Sequence, residues 1–403
     1  MTREELRVEA LRLFKDNNNI AIQAATGVGK SKIAIEMLNY YIDCVAYKPT
    51  ILFVVAEVAH KANWEEEIKK WGLKDSNHTI ICYASLKKFK NTSWDVIVFD
   101  EAHHLDTAAR LDAFDSLRTY YRIFLSATLK DSLLYKLEES CGPIETLKMG
   151  LQDAFDANIL PEPKIVLIPL ELNKKDSNLT IVESWGTKGK KLTAKCTYQE
   201  RWKYIRQKKS IPNGELQISC TQWQYYNYLT EQFEYYKKRF MFTRNEAIKN
   251  KWLQWGSKRK IFLGEQKTAV VMRLLEELKD KRYICFCTNI EQAEILGGEN
   301  CVHSKKRNSL SIIDKFNTGK INNLFAVGML TEGMNLNNIE AGVIVQLDGE
   351  ERAFIQKFGR TLRADSPVQY IFYFKDTRDK EYLEKALEGI DKKYIKIYEI
   401  YNR

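Results

Sequence analysis

Apolar residues in the first 150 positions follow two alternating patterns. Short continuous apolar runs are typical of strands that are buried on both faces of a sheet. Between these runs, apolar residues recur every three or four positions, as Ile33, Ala34, Met37 and Leu38 do, which predicts amphipathic helices. Strands that alternate with helices indicate a parallel sheet covered by helices, and hence an α/β fold. We place the strands at residues 20–23, 51–55, 79–82, 96–99 and 122–125.

The last third of the chain repeats this alternation. Pro161 and Pro163 favour an extended chain, which leads into an entry strand over residues 165–172. The pattern predicts helices over 267–278 and 378–402 and strands near 283–287, 324–327, 343–347 and 370–374. The expected divisions are a first lobe over 1–158, a linker and entry strand over 159–172, an insertion with a helical segment over 173–262, and a second lobe over 263–403.

The region between the two α/β parts differs in charge and aromatic content. Residues 173–262 carry 20 Lys and Arg but 7 Asp and Glu, a net charge of +13, whereas the whole chain carries +10. They also hold 16 of the 47 aromatic residues, and a hairpin over 173–215 and helices over 220–255 are expected. Basic groups attract phosphate and aromatic rings stack on bases. We therefore expect nucleic-acid contacts from residues 201–209 and from Lys188, Lys190 and Lys191.

A candidate phosphate-binding loop follows the first predicted strand. Residues 24–31 read AATGVGKS and lead directly into a predicted helix, whose N-terminal N–H groups suit a phosphate. Gly27 and Gly29 let the backbone approach a ligand closely. Lys30 would reach the β- and γ-phosphates, and the Ser31 hydroxyl would bind Mg²⁺. The residues expected to hold the nucleotide are Thr26, Gly27, Val28, Gly29, Lys30 and Ser31.

Two adjacent carboxylates end the predicted strand at 96–99. Asp100 and Glu101 therefore lie at the carboxyl end of a strand, where open α/β sheets bind ligands. Asp100 would hold Mg²⁺, and Glu101 would orient or deprotonate the attacking water. A helix cap would explain one of these carboxylates but not both. Together with the loop, the pair predicts hydrolysis of a nucleoside triphosphate.

Five segments in order resemble motifs of the superfamily 2 helicases and translocases. Residues 100–103 read DEAH, residues 126–128 (SAT) resemble the motif that couples hydrolysis to nucleic acid, and residues 331–335 (TEGMN) resemble the fifth motif. Residues 356–363 (QKFGRTLR) resemble the Gln-x-x-Gly-Arg-x-x-Arg motif, and residues 51–68 resemble the segment that meets the nucleic-acid backbone. The resemblance implies two RecA-like lobes with parallel sheets that face each other across an ATP cleft.

The resemblance also implies roles for single residues. Gln356, Arg360 and Arg363 would close the site from the second lobe, because an arginine near the γ-phosphate stabilises the transition state. Which arginine dominates is left open, and Gly333 would lie at the nucleotide. The residues that would couple the site to nucleic acid are His103, Ser126, Thr128 and Thr331.

Among family members, the chain looks most like the DNA-directed branch, which holds phage recombination-repair helicases, XPB-like helicases and restriction-enzyme motor subunits. This resemblance implies an ATPase that uses ATP and Mg²⁺ and translocates on, remodels or unwinds DNA. An RNA helicase and a nucleotide-gated binding module that works with a protein partner are the alternatives. No run of 18 apolar residues predicts a membrane span. Eight cysteines without Cys-x-x-Cys spacing favour a reducing, intracellular setting, either cytoplasmic or nucleoid-associated, or a host cytoplasm for a phage protein.

Overall fold

The first lobe is a parallel sheet of six strands with helices packed against it. The structure, a computed structural model, describes residues 1–186, 192–207, 213–328, 336, 338–347, 358–359 and 367–398. The strands of this lobe are β1 (Asn19–Ala24), β2 (Thr50–Val55), β3 (Asn77–Cys82), β4 (Ser93–Asp100), β5 (Arg118–Ser126) and β6 (Glu145–Met149). Its helices are α1 (Arg3–Asp16), α2 (Lys30–Cys44), α3 (Val58–Trp71), α4 (Ala108–Asp115), α5 (Asp131–Cys141) and α6 (Leu151–Asp156). The strand order is β3-β2-β4-β5-β1-β6, and all pairs are parallel.

The continuous apolar runs of this sheet have a simple cause. Successive side chains of a strand point to opposite faces, so Ile51 and Phe53 enter one core while Leu52 and Val54 enter the other. All four side chains are fully buried. Both faces therefore demand apolar residues. The parallel order brings the carboxyl ends of β1, β4 and β5 to one edge, where the loops after them meet.

The chain then leaves the first lobe through a strand that belongs to the second sheet, β7 (Lys164–Leu170). The next strands, β8 (Leu179–Trp185), β9 (Leu192–Thr197) and β10 (Gly214–Cys220), form a small sheet of order β8-β10-β9. The helices described in this region are α7 (Arg201–Gln207), α8 (Gln222–Thr243) and α9 (Glu246–Gln266). The hairpin expected over 173–215 is wrong for the described residues. The central strand β10 separates β8 from β9 and is antiparallel to β8 but parallel to β9.

Helices α8 and α9 pack side by side as an antiparallel pair, called here the arm (residues 222–266). The buried residues of α8 are Tyr226 and Leu229, near its start, and those of α9 begin only at Arg259. The distal half of the arm therefore projects from the rest of the protein. Its turn is well defined, because Arg244 is left-handed and the Asn245 side chain accepts the N–H groups of the next helix at 2.9 and 3.2 Å.

A buried ion pair fixes the base of the arm to the second lobe. Lys267, directly after α9, places Nζ 2.6 Å from Oδ2 of Asp379, and both side chains are almost fully buried. Gln346 accepts a hydrogen bond from Lys267 at 2.8 Å and donates one to Asp379 at 2.6 Å. Burial lowers the pKa of Lys267, and Asp379 acts against that shift. Because each charge has a partner, the network holds the arm in one orientation.

The second lobe is built around a wholly parallel sheet as well. Its described strands besides β7 are β11 (Tyr283–Phe286), β12 (Cys301–His303), β13 (Asn323–Val327), β14 (Ala341–Ile344), β15 (Val368–Phe374) and β16 (Ile395–Ile397). Its described helices are α10 (Thr268–Glu277), α11 (Ile290–Gly297), α12 (Ser309–Asn317) and α13 (Arg378–Ala386). The strand order is β12-β13-β11-β14-β15-β7-β16. The prediction of two parallel-sheet lobes is thus confirmed, but the closing helix over 378–402 is wrong, since α13 ends at Ala386 and β16 follows.

The two lobes share a packed contact. Phe155 of α6 lies edge-on to Phe358, with ring centroids 6.3 Å apart, and to Tyr394, at 5.6 Å. The backbone N–H of Asp391 also donates to Gln152 of α6 at 2.9 Å. Aromatic edge-to-face pairs of this kind add to the stabilisation from burial alone. The first lobe therefore contacts the second through α6, next to the loop that follows β1.

Candidate functional site

The loop after β1 has the backbone shape that a phosphate requires. Gly27 and Gly29 lie in the left-handed region, with φ of 94° and 106°, which residues with a Cβ rarely adopt. Helix α2 begins at Lys30, and no side chain caps its N-terminus. Its first N–H groups and its dipole therefore point along the loop toward any bound anion. Ser31 is in the first turn of α2 and is partly exposed.

Lys30 and Asp100 lie close enough to act on each other. The Lys30 ammonium donates to the carbonyl oxygens of Ala24 at 2.8 Å and of Ala25 at 3.4 Å, at the end of β1. Burial raises the pKa of Asp100, and repulsion from Glu101 raises it further, whereas the Trp64 hydrogen bond and the positive charge of Lys30 lower it. The sheet thus brings the two segments, which are seventy residues apart in the chain, to one edge.

Three hydrogen bonds hold Asp100 in place. Its Oδ2 accepts the indole N–H of Trp64 at 2.8 Å, and its Oδ1 accepts the backbone N–H of Glu101 at 3.1 Å. The Tyr83 hydroxyl donates to its carbonyl oxygen at 3.0 Å. A carboxylate has about four lone-pair positions, so each oxygen keeps capacity for a further ligand. The hydrogen bonds fix the orientation of the carboxylate, and its oxygens can still accept further ligands.

Glu101 begins a chain of contacts that reaches the end of β5. The residue is left-handed, with φ of 49°, a conformation that costs a residue with a Cβ about 1–2 kcal/mol. Its Oε2 lies 3.4 Å from Nδ1 of His103, which lies 3.1 Å from Oγ of Ser126. The Ser126 hydroxyl donates its single proton to the carbonyl oxygen of Thr128 at 2.8 Å, so Nδ1 of His103 carries a proton and donates to Ser126.

The second lobe reaches the loop after β1 at Gly359. A Cβ at Gly359 would lie 2.6 Å from the Cβ of Thr26 and 3.2 Å from its carbonyl oxygen. Only glycine permits this approach, because real Cβ atoms essentially never come so near. The buried Thr26 hydroxyl has no hydrogen-bond partner within the described part of the chain. A polar group placed this way favours a polar ligand at the loop.

The remaining predicted site residues lie outside the described residues. They are Thr331, Gly333, Gln356, Arg360 and Arg363 in the second lobe and Lys188, Lys190 and Lys191 between β8 and β9. The structure brings together Thr26, Gly27, Val28, Gly29, Lys30 and Ser31 with Asp100, Glu101, His103, Ser126 and Thr128 at one edge of the first sheet.

Burial removes three residues from the expected nucleic-acid contacts, whereas the rest of residues 201–209 stays a prediction, with Trp202 and Lys203 exposed and residues 208–209 outside the described residues. Trp64 and Ile68 lie in the segment expected to face the polymer, but they are only 3% and 8% exposed and belong to the core. Arg201 is 4% exposed, pairs with Glu231 at 2.9 Å and lies over the ring of Tyr198. Helical spacing of His60, Trp64 and Ile68 indicates an inward face of α3, and that signal was available in the sequence.

Comparisons with known proteins agree with this two-lobed arrangement. Residues 3–90 match the family model described as type III restriction enzyme, res subunit, and residues 266–365 match the helicase conserved C-terminal domain. The DNA 3'-5' translocase XPB2 of Sulfurisphaera tokodaii is 20% identical over 379 residues, which span 89% of this chain and 78% of that protein. The chain thus carries the helicase conserved C-terminal domain in its second lobe and a restriction-enzyme res-subunit domain in its first, a combination that resembles superfamily 2 of the helicases and translocases.

Two solved structures show that the fold is shared with known proteins. Dbp5 of S. cerevisiae, bound to RNA and ADP BeF3, matches with a TM-score of 0.59 at 14% identity, over 98% of this chain and 89% of that one. The type ISP restriction-modification enzyme LlaBIII, bound to DNA, matches with a TM-score of 0.55 at 12% identity, over 99% of this chain and 31% of that one. The two family domains and the translocase relative, rather than these structures, indicate an ATP-hydrolysing enzyme that works on nucleic acid.

Proposed function

We propose that this chain is a DNA-stimulated ATPase that translocates on, remodels or unwinds DNA. The observation that carries the proposal is the pair of carboxylates at the end of β4, which lies beside Lys30 and is joined through His103 to Ser126. Such a site joins the groups that would hydrolyse the nucleotide to the end of a second strand, β5, through side-chain contacts. The similarity to a DNA translocase over most of both chains supports DNA as the polymer.

In the proposed mechanism, the loop after β1 binds the triphosphate. The N–H groups at the start of α2 and the Lys30 ammonium neutralise phosphate charge, and the left-handed glycines allow the backbone to approach. Ser31 and Asp100 supply a hydroxyl and a carboxylate, the oxygen ligands that magnesium uses together with substrate phosphates. Magnesium, when bound, would screen the phosphates and hold them in line for attack. These residues fit the ion.

Glu101 is proposed to orient the attacking water and accept its proton. Its backbone is left-handed, and its Oε2 lies 3.4 Å from Nδ1 of His103. Because His103 donates to Ser126, a shift of β5 at its end would move His103 and therefore Glu101. Nucleic acid bound near Ser126 and Thr128 would in this way adjust the position of Glu101, the proposed general base.

The second lobe is proposed to complete the site. Gly359 already touches Thr26, and the neighbouring Gln356, Arg360 and Arg363 would supply groups for the γ-phosphate. Gly333 and Thr331 would act from the same lobe. Since the Gly359 contact needs the two lobes together, hydrolysis would depend on lobe closure. That dependence is what converts hydrolysis into movement along a polymer.

The arm offers a surface that suits a phosphate backbone. Residues 222–266 carry nine Lys and Arg but four Asp and Glu. Lys238, Arg244 and Lys251 are exposed, and Phe242 at the tip is 89% exposed. The stacked pair of Phe240 and Trp252, with ring centroids 5.8 Å apart, stiffens the end of the arm. Cations beside an exposed aromatic ring are the groups that bind single-stranded nucleic acid.

A groove of about 510 Å³ lies between β8 and the base of the arm. Its walls include Tyr225, Tyr228 and Trp255, and the Lys258 ammonium lies 4.5 Å from the Trp255 ring centroid. The volume of the groove is within the range of ligand pockets, roughly 300–1,000 Å³. The groove would therefore accept a nucleic-acid base. The groove therefore extends the aromatic and cationic surface of the arm toward the lobes.

The test is the rate of ATP hydrolysis alone and with single-stranded DNA, duplex DNA, branched DNA or RNA, each at two salt concentrations. We expect strong stimulation by a DNA form that is lost at high salt, because phosphate contacts release counterions. Stimulation by RNA alone would replace the proposal with an RNA helicase. Hydrolysis that ignores every polymer, with binding switched by nucleotide, would indicate a gated binding module that works with a protein partner.

A further inference from the structure

Trp64 makes an unusual contact for a buried tryptophan. Its ring is 3% exposed and packs on Phe53 of β2, with centroids 4.9 Å apart. A buried indole N–H needs a hydrogen-bond partner, and this one donates to a side-chain carboxylate oxygen, Oδ2 of Asp100, at 2.8 Å. The contact joins α3 to the end of β4 across 36 residues of sequence.

The contact fixes the plane of the Asp100 carboxylate. One oxygen accepts the indole N–H and the other accepts the backbone N–H of Glu101, so rotation of the carboxylate would break both bonds. The indole cannot follow such a rotation, because Phe53 packs against its ring. The lone pairs that remain on Asp100 then point in set directions. A metal ion with strict octahedral geometry benefits from a ligand held in this way.

We infer that Trp64 is a positioning residue that orients Asp100 for magnesium. The inference rests on the proposed function, which assigns Asp100 to the metal. It gives α3 a role inside the site, although the sequence resemblance places that segment against the polymer. Partners one step behind a metal ligand commonly change metal affinity about 10- to 100-fold when they are altered.

The experiment compares Trp64→Phe with Trp71→Phe. Phenylalanine keeps an aromatic ring against Phe53 but removes the indole N–H. Trp71 is on the same helix, is 36% exposed and donates to Glu67, and it therefore serves as the matched control. The readout is the anisotropy of a fluorescent ATP analogue during Mg²⁺ and Mn²⁺ titrations, with thermal unfolding as a check on folding. This measurement needs neither polymer nor turnover.

We expect Trp64→Phe to need about tenfold more Mg²⁺ for the same nucleotide binding, while Trp71→Phe matches the wild type. In an Asp100→Asn background, Trp64→Phe should add nothing, because the two residues act through one contact. An unchanged Mg²⁺ midpoint in Trp64→Phe overturns the inference alone. A wild type whose nucleotide binding ignores Mg²⁺ and Mn²⁺ overturns the proposed function and this inference with it.

Discussion

The first-lobe site and the arm differ in how far their charged groups are buried and how firmly those groups are held. Glu101 is buried and Asp100 is half-buried, and fixed donors hold Asp100 in one orientation. The cations of the arm are mostly exposed and meet solvent, and Phe242 at its tip is almost bare. Chemistry on a phosphate needs placement within a fraction of an ångström, whereas attraction to a charged polymer tolerates movement. Changes at the site should therefore act on rate, and changes on the arm should act on affinity.

The largest expected effect is at Glu101. Glu101→Gln keeps the shape of the side chain but removes its basicity, so turnover with saturating DNA should fall about 10²- to 10⁴-fold while DNA binding stays near the wild-type value. Lys30→Ala should behave in the same way. Phosphate release and DNA anisotropy are the measurements, with the exposed Glu66→Gln as control. Full turnover in Glu101→Gln would remove this residue from the chemistry.

Gly359→Ala should come next. The new Cβ would lie 2.6 Å from the Cβ of Thr26, so the lobes must separate or the loop must shift. Since a displacement of about 1 Å can cost 10²-fold in rate, we expect turnover to drop by roughly that factor. Gly150→Ala is the control, because its Cβ would meet only the flexible Asp153 carboxylate at 3.3 Å. A Gly359→Ala variant with normal turnover would show that hydrolysis does not use this lobe contact.

Neutralising the arm should leave the chemistry intact and weaken binding. In the triple variant Lys238→Gln, Arg244→Gln and Lys251→Gln, the slope of log affinity against log salt should decrease by about three units if each cation meets a phosphate. Affinity at low salt should fall about tenfold. The same substitutions at Lys188, Lys190 and Lys191 measure how much these three lysines, which were predicted from charge and aromatic content alone, contribute to DNA binding. Equal slopes for the arm variant and the wild type would exclude the arm from the phosphate backbone.

The smallest predicted effect is at the tip. Phe242→Ala should weaken binding of single-stranded DNA by about 1 kcal/mol, or fivefold, since a base that stacks on an aromatic ring contributes that much or more. Blunt duplex DNA, whose bases are already stacked, should bind as before. Tyr120→Ala removes a ring that is 73% exposed on the first lobe and serves as the control. A loss of the same size on blunt duplex would argue against stacking.

Much of the fold was predictable because local signals and burial agree. Strands such as β2 and β4 are buried on both faces, and continuous apolar runs mark them in the sequence. Strand β6, with the sequence ETLKM, lies at the sheet edge and is half polar, so it carries no such run. Strand β16 has three residues and depends on pairing with β7, more than 200 positions away, which no local pattern reports.

The candidate site shows the same division between features that local sequence signals predict and features that depend on long-range packing. Residue types and their spacing along the chain led to Lys30, Asp100 and Glu101, because phosphate chemistry restricts which residues can serve. The hydrogen bond from Trp64 to Asp100 and the contact of Gly359 with Thr26 depend on packing between distant elements. Helical periodicity can show that Trp64 faces inward, but it cannot name the partner. Long-range packing therefore had to come from the structure.

The contact between Gly359 and Thr26 has a thermodynamic consequence. If nucleotide binding at the loop favours the arrangement in which the lobes touch, and nucleic acid also prefers one arrangement of the lobes, the two equilibria are linked. Each ligand must then change the affinity for the other by the same factor. A ratio of DNA affinities measured with and without nucleotide would equal the ratio of nucleotide affinities measured with and without DNA. The close approach at Gly359 would thus couple the free energy of nucleotide binding to that of DNA binding.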